Sequence, residues 1–305
     1  MSNATPPSPG LLKRWFRRSR TLVALSAWAH WRLYLFKDWW GTKVWKKTSE
    51  VMTPLGFKLR SGFHPAYELM RTGRFEVEET AHLCRLLADA DCFVDIGANL
   101  GYYTCLALSR GRPVIAFEPQ QQNLQCLLQN LCSNGWHEGA EVIPVALGAK
   151  PGLLTLYGAS GPSASLVKDW AGYSPRHQQL VPVSTLDNIV GGRLPDRRLL
   201  IKIDVEGAEY QVLCGAHATL ARTPKPVWLL EICLHEFHPQ GANPDYLNTF
   251  DLFWSNGYQA FTATGNPTPV TRADVERWLD RKFCYSGTFN YLFVDAQQAA
   301  RWLGR

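Results

Sequence analysis

Asp91-Cys92-Phe93-Val94-Asp95-Ile96-Gly97-Ala98-Asn99-Leu100-Gly101, continuing as Tyr102-Tyr103-Thr104, reads as a short buried strand that ends in an acid, turns between two glycines and enters a helix. Phe93, Val94 and Ile96 suit a parallel strand covered on both faces. Gly97 and Gly101 carry no Cβ, so the backbone can turn sharply there and approach a ligand closely. The helix beginning near Leu100 aims its free N–H groups into that turn. In an open α/β sheet, a ligand pocket lies at the carboxyl end of such a strand.

The glycine spacing discriminates between cofactors. A dinucleotide fingerprint aligned on Gly97 requires glycine at two positions held here by Asn99 and Tyr102, which disfavours a nicotinamide dehydrogenase. What remains is acid-x-Gly-x-x-x-Gly, the loop that in many methyltransferases cradles the methionine end of S-adenosylmethionine. The next strand, Pro113-Val114-Ile115-Ala116-Phe117-Glu118, ends in an acid about twenty residues on, where it can hold both ribose hydroxyls. An ordinary strand–turn–helix junction explains the two glycines alone, but not their pairing with Glu118.

Working outward, the chain alternates strand and helix. Glu76–Ala90 and Gln120–Cys132 are expected helices, and Glu141–Ala146, Gly152–Tyr157 and Val181–Val183 strands, with a short helix at Thr185–Ile189. Leu199–Asp204 is a strand, and Glu206-Gly207-Ala208-Glu209 opens a helix to Leu220. Pro226–Cys233, Tyr258–Ala263 and Asn290–Val294 are further strands, separated by helices at Asn243–Asn256 and Arg272–Asp280, with Ala296–Leu303 helical at the end. Val51–Arg60 reads as a hairpin around Thr53-Pro54-Leu55-Gly56. The loop Gly158–Gln178 is rich in small residues and lies where a substrate lid would, or is a surface excursion.

The 305 residues are 46% hydrophobic and 19% charged, which fits a globular chain with a substantial core. The net charge of +6 is uneven. Residues 11–60 hold twelve Lys/Arg against Asp38 and Glu50, whereas the remainder holds twenty against twenty-four. Three regions follow: a disordered basic tail over 1–20, a basic aromatic-rich extension over 21–75, and a catalytic domain over 76–305. Six of the twelve tryptophans precede residue 46. Residues 11–47 therefore suit peripheral contact with an anionic membrane, or packing of their aromatics on the domain or on a second subunit. A transmembrane span and a signal peptide are both disfavoured, and no nucleic-acid recognition motif accompanies the basic run. The eight cysteines form no C-x-x-C pair, consistent with a reducing cytoplasm, no zinc and no disulfide framework.

With these blocks in place, the chain resembles the FkbM-type family of S-adenosylmethionine-dependent methyltransferases. The resemblance rests on Val94–Thr104, Ala116-Phe117-Glu118-Pro119, Thr185-Leu186-Asp187, Ile201-Lys202-Ile203-Asp204-Val205-Glu206-Gly207-Ala208-Glu209 and Asn290-Tyr291-Leu292-Phe293. These lie in the family's order and cover roughly residues 91–295. It implies an α/β fold, a Rossmann-like class I methyltransferase with a seven-stranded, mostly parallel sheet, an antiparallel last strand and helices on both faces. It implies O-methylation of a hydroxyl on a sugar, glycolipid or polyketide-type product. Asp95, Gly97, Asn99, Gly101 and Thr104 would surround the methionine portion, Glu118 the ribose, and Val145 and Ala146 the adenine. A non-catalytic nucleotide-binding or membrane-recruitment module on the same fold is the alternative.

Methyl transfer to oxygen requires alignment and removal of a proton. Asp204 ends a strand beside the cofactor turn and can orient the cofactor or take the proton. Glu206 and Glu209 open the next helix, where the dipole favours ionised acids, or they act as caps. Glu231 and His235 follow the next strand and are placed to face the same cleft. His235, near neutrality when unperturbed, or Asp204 is the expected base. The His-Glu-Phe-His run at 235–238 lacks zinc-protease spacing. An Asp204–Glu231–His235 cation site is the metal alternative to a metal-free centre.

Overall fold

The computed structural model describes residues 49–62, 64–158, 163–172, 177–239 and 241–303. The expected basic tail, and the membrane or packing role of residues 11–47, lie outside these residues. No described helix is long and apolar enough to cross a membrane. Ser49–Ser61 and the chain from Pro65 onward form one compact unit, so the hairpin assigned to the extension belongs with the body.

That hairpin is β1 (Ser49–Met52) and β2 (Lys58–Ser61), followed by α1 (Pro65–Arg71) and α2 (Val77–Asp89). The α/β alternation then begins with β3 (Cys92–Ile96), α3 (Tyr102–Ser109), β4 (Val114–Phe117), α4 (Gln121–Ser133) and β5 (Ala140–Ile143). A side sheet follows, made of β6 (Ala146–Leu147), β7 (Gly152–Tyr157) and β8 (Gln178–Ser184). The main sheet resumes with β9 (Leu199–Ile203), α5 (Glu209–Cys214), α6 (His217–Ala221), β10 (Val227–Glu231) and α7 (Tyr246–Ser255). Last come β11 (Gln259–Thr262), β12 (Pro269–Val270), α8 (Arg272–Arg281), β13 (Asn290–Val294) and α9 (Ala296–Leu303).

The main sheet has the order β12-β11-β13-β10-β9-β3-β4-β5. Strands β10, β9, β3, β4 and β5 run parallel, and β13 inserts antiparallel between β10 and β11. This is the expected doubly wound α/β architecture with an antiparallel last strand. It has eight strands rather than seven, because the two-residue β12 adds to the edge of β11. Strand order reverses between β3 and β9, and a crevice opens beyond their carboxyl ends.

Two expected elements are broken, one at Pro144 and one at Gly215. The strand expected over Glu141–Ala146 stops at Ile143, because Pro144 has no N–H for the ladder, and Ala146 joins β8 in the side sheet. The helix expected from Glu206 to Leu220 divides at Gly215, where a Cβ would collide with the Gly148 carbonyl oxygen. The second piece, α6, is capped by Asp187, whose carboxylate accepts from the Ala218 and Thr219 backbone N–H groups at 2.8 Å each. The Thr185-Leu186-Asp187 block therefore serves the fold. The helix α1 has no counterpart in the sequence reading. All eight cysteines are free thiols.

Candidate functional site

The site forms where β3 and β9 end together. Gly97 has φ +85°, and a Cβ there would collide with the Asp204 carbonyl oxygen, so only glycine lets the two strand ends approach this closely. Asn99 also has positive φ, at +52°, and its Oδ1 accepts from the Leu100 N–H at 2.8 Å. Its own N–H donates to Glu118 Oε2 at 2.7 Å, while the Gln120 N–H donates to Glu118 Oε1 at 2.8 Å. Glu118 is therefore held rigidly at the end of β4 with further lone pairs on both oxygens. Burial pushes its carboxyl up to about 7 against the pull of those N–H groups.

Gly97, Asn99, Glu118, Val145 and Ala146 line one cleft of about 540 Å³, counted out to its open mouth, with Leu156 and Leu166 on its apolar side. Gly101 and Thr104 line neither this cleft nor its neighbour. Gly101 (φ +89°) starts α3 and lies against Leu127, where a side chain would collide. Thr104 is fully buried, and its Oγ1 donates to Asp95 Oδ2 at 2.6 Å. Both act by shaping the turn and fixing Asp95.

A second cavity meets the first at Gly97, Asn99, Asp204 and Glu206. Its walls bring together Asp95, Asp204, Glu206 and Glu231 with Glu76, Lys202 and Tyr103. Lys202 is the one cation among its described lining residues. It is only 3% exposed, and its Nζ lies 2.7 Å from Asp204 Oδ2 and 4.8 Å from the centre of the Tyr103 ring. Tyr103 in turn donates its hydroxyl to Glu76 Oε2 at 2.6 Å. Glu76, Asp204 and Glu231 offer carboxylate oxygens within 4.8 Å of one another.

So many acids around one ammonium set the local electrostatics. Burial pushes the Glu76 carboxyl up to about 7, with Lys202 pulling it down and Asp204 adding repulsion. Burial likewise raises Asp95 to about 6, opposed by Lys202 and the Thr104 hydroxyl. Glu206 and Glu231 rise well above the ordinary carboxylate range through burial and the nearby charge of Asp204. Burial acts to lower the Lys202 ammonium, yet Asp204, Glu76 and Asp95 outweigh it and raise its pKa.

The remaining expected residues divide. Glu206 has φ +56°, and its Oε2 accepts from Trp170 Nε1 at 2.8 Å while its carbonyl accepts from Ser165 Oγ at 2.5 Å. Gly207 lies directly under the Trp170 ring. The described part of the loop Gly158–Gln178 therefore packs on the site, with Ala164 and Leu166 in the cofactor cleft wall. Glu209 lines neither cavity and accepts from the Gly207 N–H at 3.0 Å, as a cap does. His235 is also outside both cavities, and its Nδ1 is hydrogen-bonded to the Gly241 carbonyl. Beyond β10 the chain places Phe237 and His238 against the Trp170 ring, at 6.1 and 5.8 Å between ring centres, and His235 is not among the residues lining either cavity. Among the described residues, the carboxylates placed to hold a cation together are Glu76, Asp204 and Glu231, without His235.

Sequence reasoning missed Glu76, Lys202 and Trp170 as site residues. Lys202 carried a signal, since a lysine inside the apolar run Leu199-Leu200-Ile201-Lys202-Ile203 must find a counter-charge. Glu76 carried none.

A family model described as the Methyltransferase FkbM domain matches residues 95–260, over half of the chain. No curated protein matches. Among solved structures, the methyltransferase FkbM from Methylobacillus flagellatus KT is 19% identical with a TM-score of 0.41, over 68% of this chain and 44% of that one. The chain thus spans less than half the length of that protein. A TehB-like SAM-dependent methyltransferase from Corynebacterium glutamicum is 11% identical with a TM-score of 0.37, over 74% of this chain and 91% of its own. The precorrin-6y C5,15-methyltransferase from Geobacter metallireducens is 13% identical with a TM-score of 0.35, over 59% and 71%.

Proposed function

This chain belongs to the FkbM methyltransferase family, and on that premise we propose that it methylates a hydroxyl oxygen of a sugar, glycolipid or polyketide-type acceptor, using S-adenosylmethionine. One observation carries the reading: a cradle with Glu118 at one end opens, at Gly97, Asn99 and Asp204, onto a cavity lined by carboxyls. The donor fits what the residues offer. Glu118 keeps lone pairs for two ribose hydroxyls, the wall of Val145, Ala146, Leu156 and Leu166 suits a flat base, and Gly97 leaves its backbone open to close approach.

Bound S-adenosylmethionine supplies an electrophilic methyl group on a cationic sulfur. The chain's part is to hold the acceptor in line and to take a proton. Asp95, fixed by Thr104, presents negative charge beside the turn. Asp204, held by Lys202, orients the acceptor hydroxyl. Glu76, with its carboxyl near 7, is the group matched to accept the proton at neutral pH. Glu206 and Glu231 complete the hydrogen-bonding wall.

Calorimetric titration with S-adenosylhomocysteine tests the cofactor site. Micromolar-range binding that weakens at least tenfold in Glu118→Ala, with the fold intact by circular dichroism, supports the reading. Absence of binding to the folded wild-type chain overturns it.

A further inference from the structure

A second cavity of different character lies at the opposite end of the sheet. The amino ends of β9 and β10 and the carboxyl end of β13 floor a space of about 240 Å³ between the last turns of α2 and α9. Its floor and walls are apolar: Leu86, Leu199, Leu200, Val227 and Val294. Its rim carries Arg85, Arg198, Arg301 and Gln298, with Asp89 as the one acid among the described lining residues.

The rim groups differ in how far they are already engaged. Arg198 is committed to Asp91, its Nε and terminal nitrogen lying 3.2 and 2.9 Å from the two carboxylate oxygens. Gln298 donates to the Lys225 carbonyl at 2.6 Å and accepts from the Asp295 N–H at 2.9 Å. Arg85 has only the ring nitrogen of His82, at 2.6 Å, and among the described residues neither Arg85 nor Arg301 pairs with a carboxylate.

An apolar floor beneath two guanidinium groups that pair with no carboxylate among the described residues complements a molecule with an aliphatic body and an anionic head. A dry apolar cavity of about 150 Å³ accepts benzene, so this one has room for a chain of roughly eight to ten carbons. A guanidinium is the group best suited to a carboxylate, which it engages through two parallel N–H bonds. We propose that this cavity binds a medium-chain fatty acid, with the chain on the Leu199–Leu200–Val227–Val294 floor and the carboxylate at Arg85 and Arg301. It shares no lining residue with the cofactor cleft, so the proposal stands or falls separately from the methyltransferase reading.

The test is calorimetric titration of the full chain with decanoate kept below its micelle concentration, with 1-decanol as the uncharged twin. Decanoate should bind at least tenfold more tightly than decanol. The exposed double variant Arg85→Ala/Arg301→Ala should bring decanoate down to the affinity of decanol, and Val227→Phe, which fills the floor, should abolish both. The proposal is overturned if decanoate does not bind, if the arginine variant binds it unchanged, or if S-adenosylhomocysteine competes it away.

Discussion

Replacing Lys202 by methionine is the most direct probe of the catalytic cavity, because one buried ammonium counters several buried acids. At 2.7 Å and an effective dielectric constant near 20, the Lys202–Asp204 attraction alone is about 6 kcal/mol before desolvation. The variant avoids desolvating the ammonium but leaves Asp204, Glu76 and Asp95 without their counter-ion. Breaking one side of a buried pair costs about 3–5 kcal/mol, a large share of the ~5–15 kcal/mol that holds a domain together.

The loss should depend on pH, with a determinable sign. Glu76 is raised from 4.5 to about 7 and Asp95 from 3.8 to about 6. A carboxyl raised in the folded state contributes stability below its unfolded value, and that contribution is lost as pH rises through its folded value. Lys202 lowers both groups, so without it both rise further and the losing window extends upward. Each additional pKa unit corresponds to about 1.4 kcal/mol. Urea unfolding followed by circular dichroism should therefore show a deficit of about 3–5 kcal/mol at pH 7.5 and a smaller one, by about 1.4 kcal/mol or more, at pH 5.5. Asp204→Asn should restore part of the loss when combined with Lys202→Met, since the two residues are in contact. A deficit under about 1 kcal/mol, or one equal at both pH values, refutes the role of Lys202 as counter-ion.

Glu76→Gln keeps the shape and the acceptor for Tyr103 but cannot take a proton. Methyl transfer to a hydroxyl acceptor found by screening should fall by about 10²–10⁴, and the rate limb that rises through pH 7 should vanish; a retained limb assigns the base elsewhere. Gly97→Ala must adopt φ +85° and push its Cβ into the Asp204 carbonyl, so thermal unfolding should register a loss of about 3 kcal/mol. Gly56→Ala, with φ +90° but nothing within 4 Å, should lose only about 1 kcal/mol, and equal losses for the two would contradict the close approach of β3 and β9.

Much of this protein is written locally in its sequence. The β3 strand and the acid ending the next strand could be read because each is a local pattern, and Gly97 because its positive φ of +85° is itself a local backbone demand, although the Asp204 carbonyl it leaves room for is not local. Strand Asn290–Val294, buried at every position, and helix Ala296–Leu303 were legible to the residue, the first as a short run of aromatic and aliphatic residues and the second by its helical pattern. The breaks at Pro144 and Gly215 were present as residue types, but what they interrupt depended on Gly148 and on the side sheet. Only the tertiary structure decided which acids share a cavity. Glu76 precedes α2, Lys202 lies within β9 and Glu231 ends β10, so their distances follow from sheet order rather than spacing. The same holds for Trp170 on Glu206 and for His235, whose Nδ1 is bonded to the Gly241 carbonyl. A cavity's charge is the sum of groups delivered by distant elements, and no local period encodes that sum.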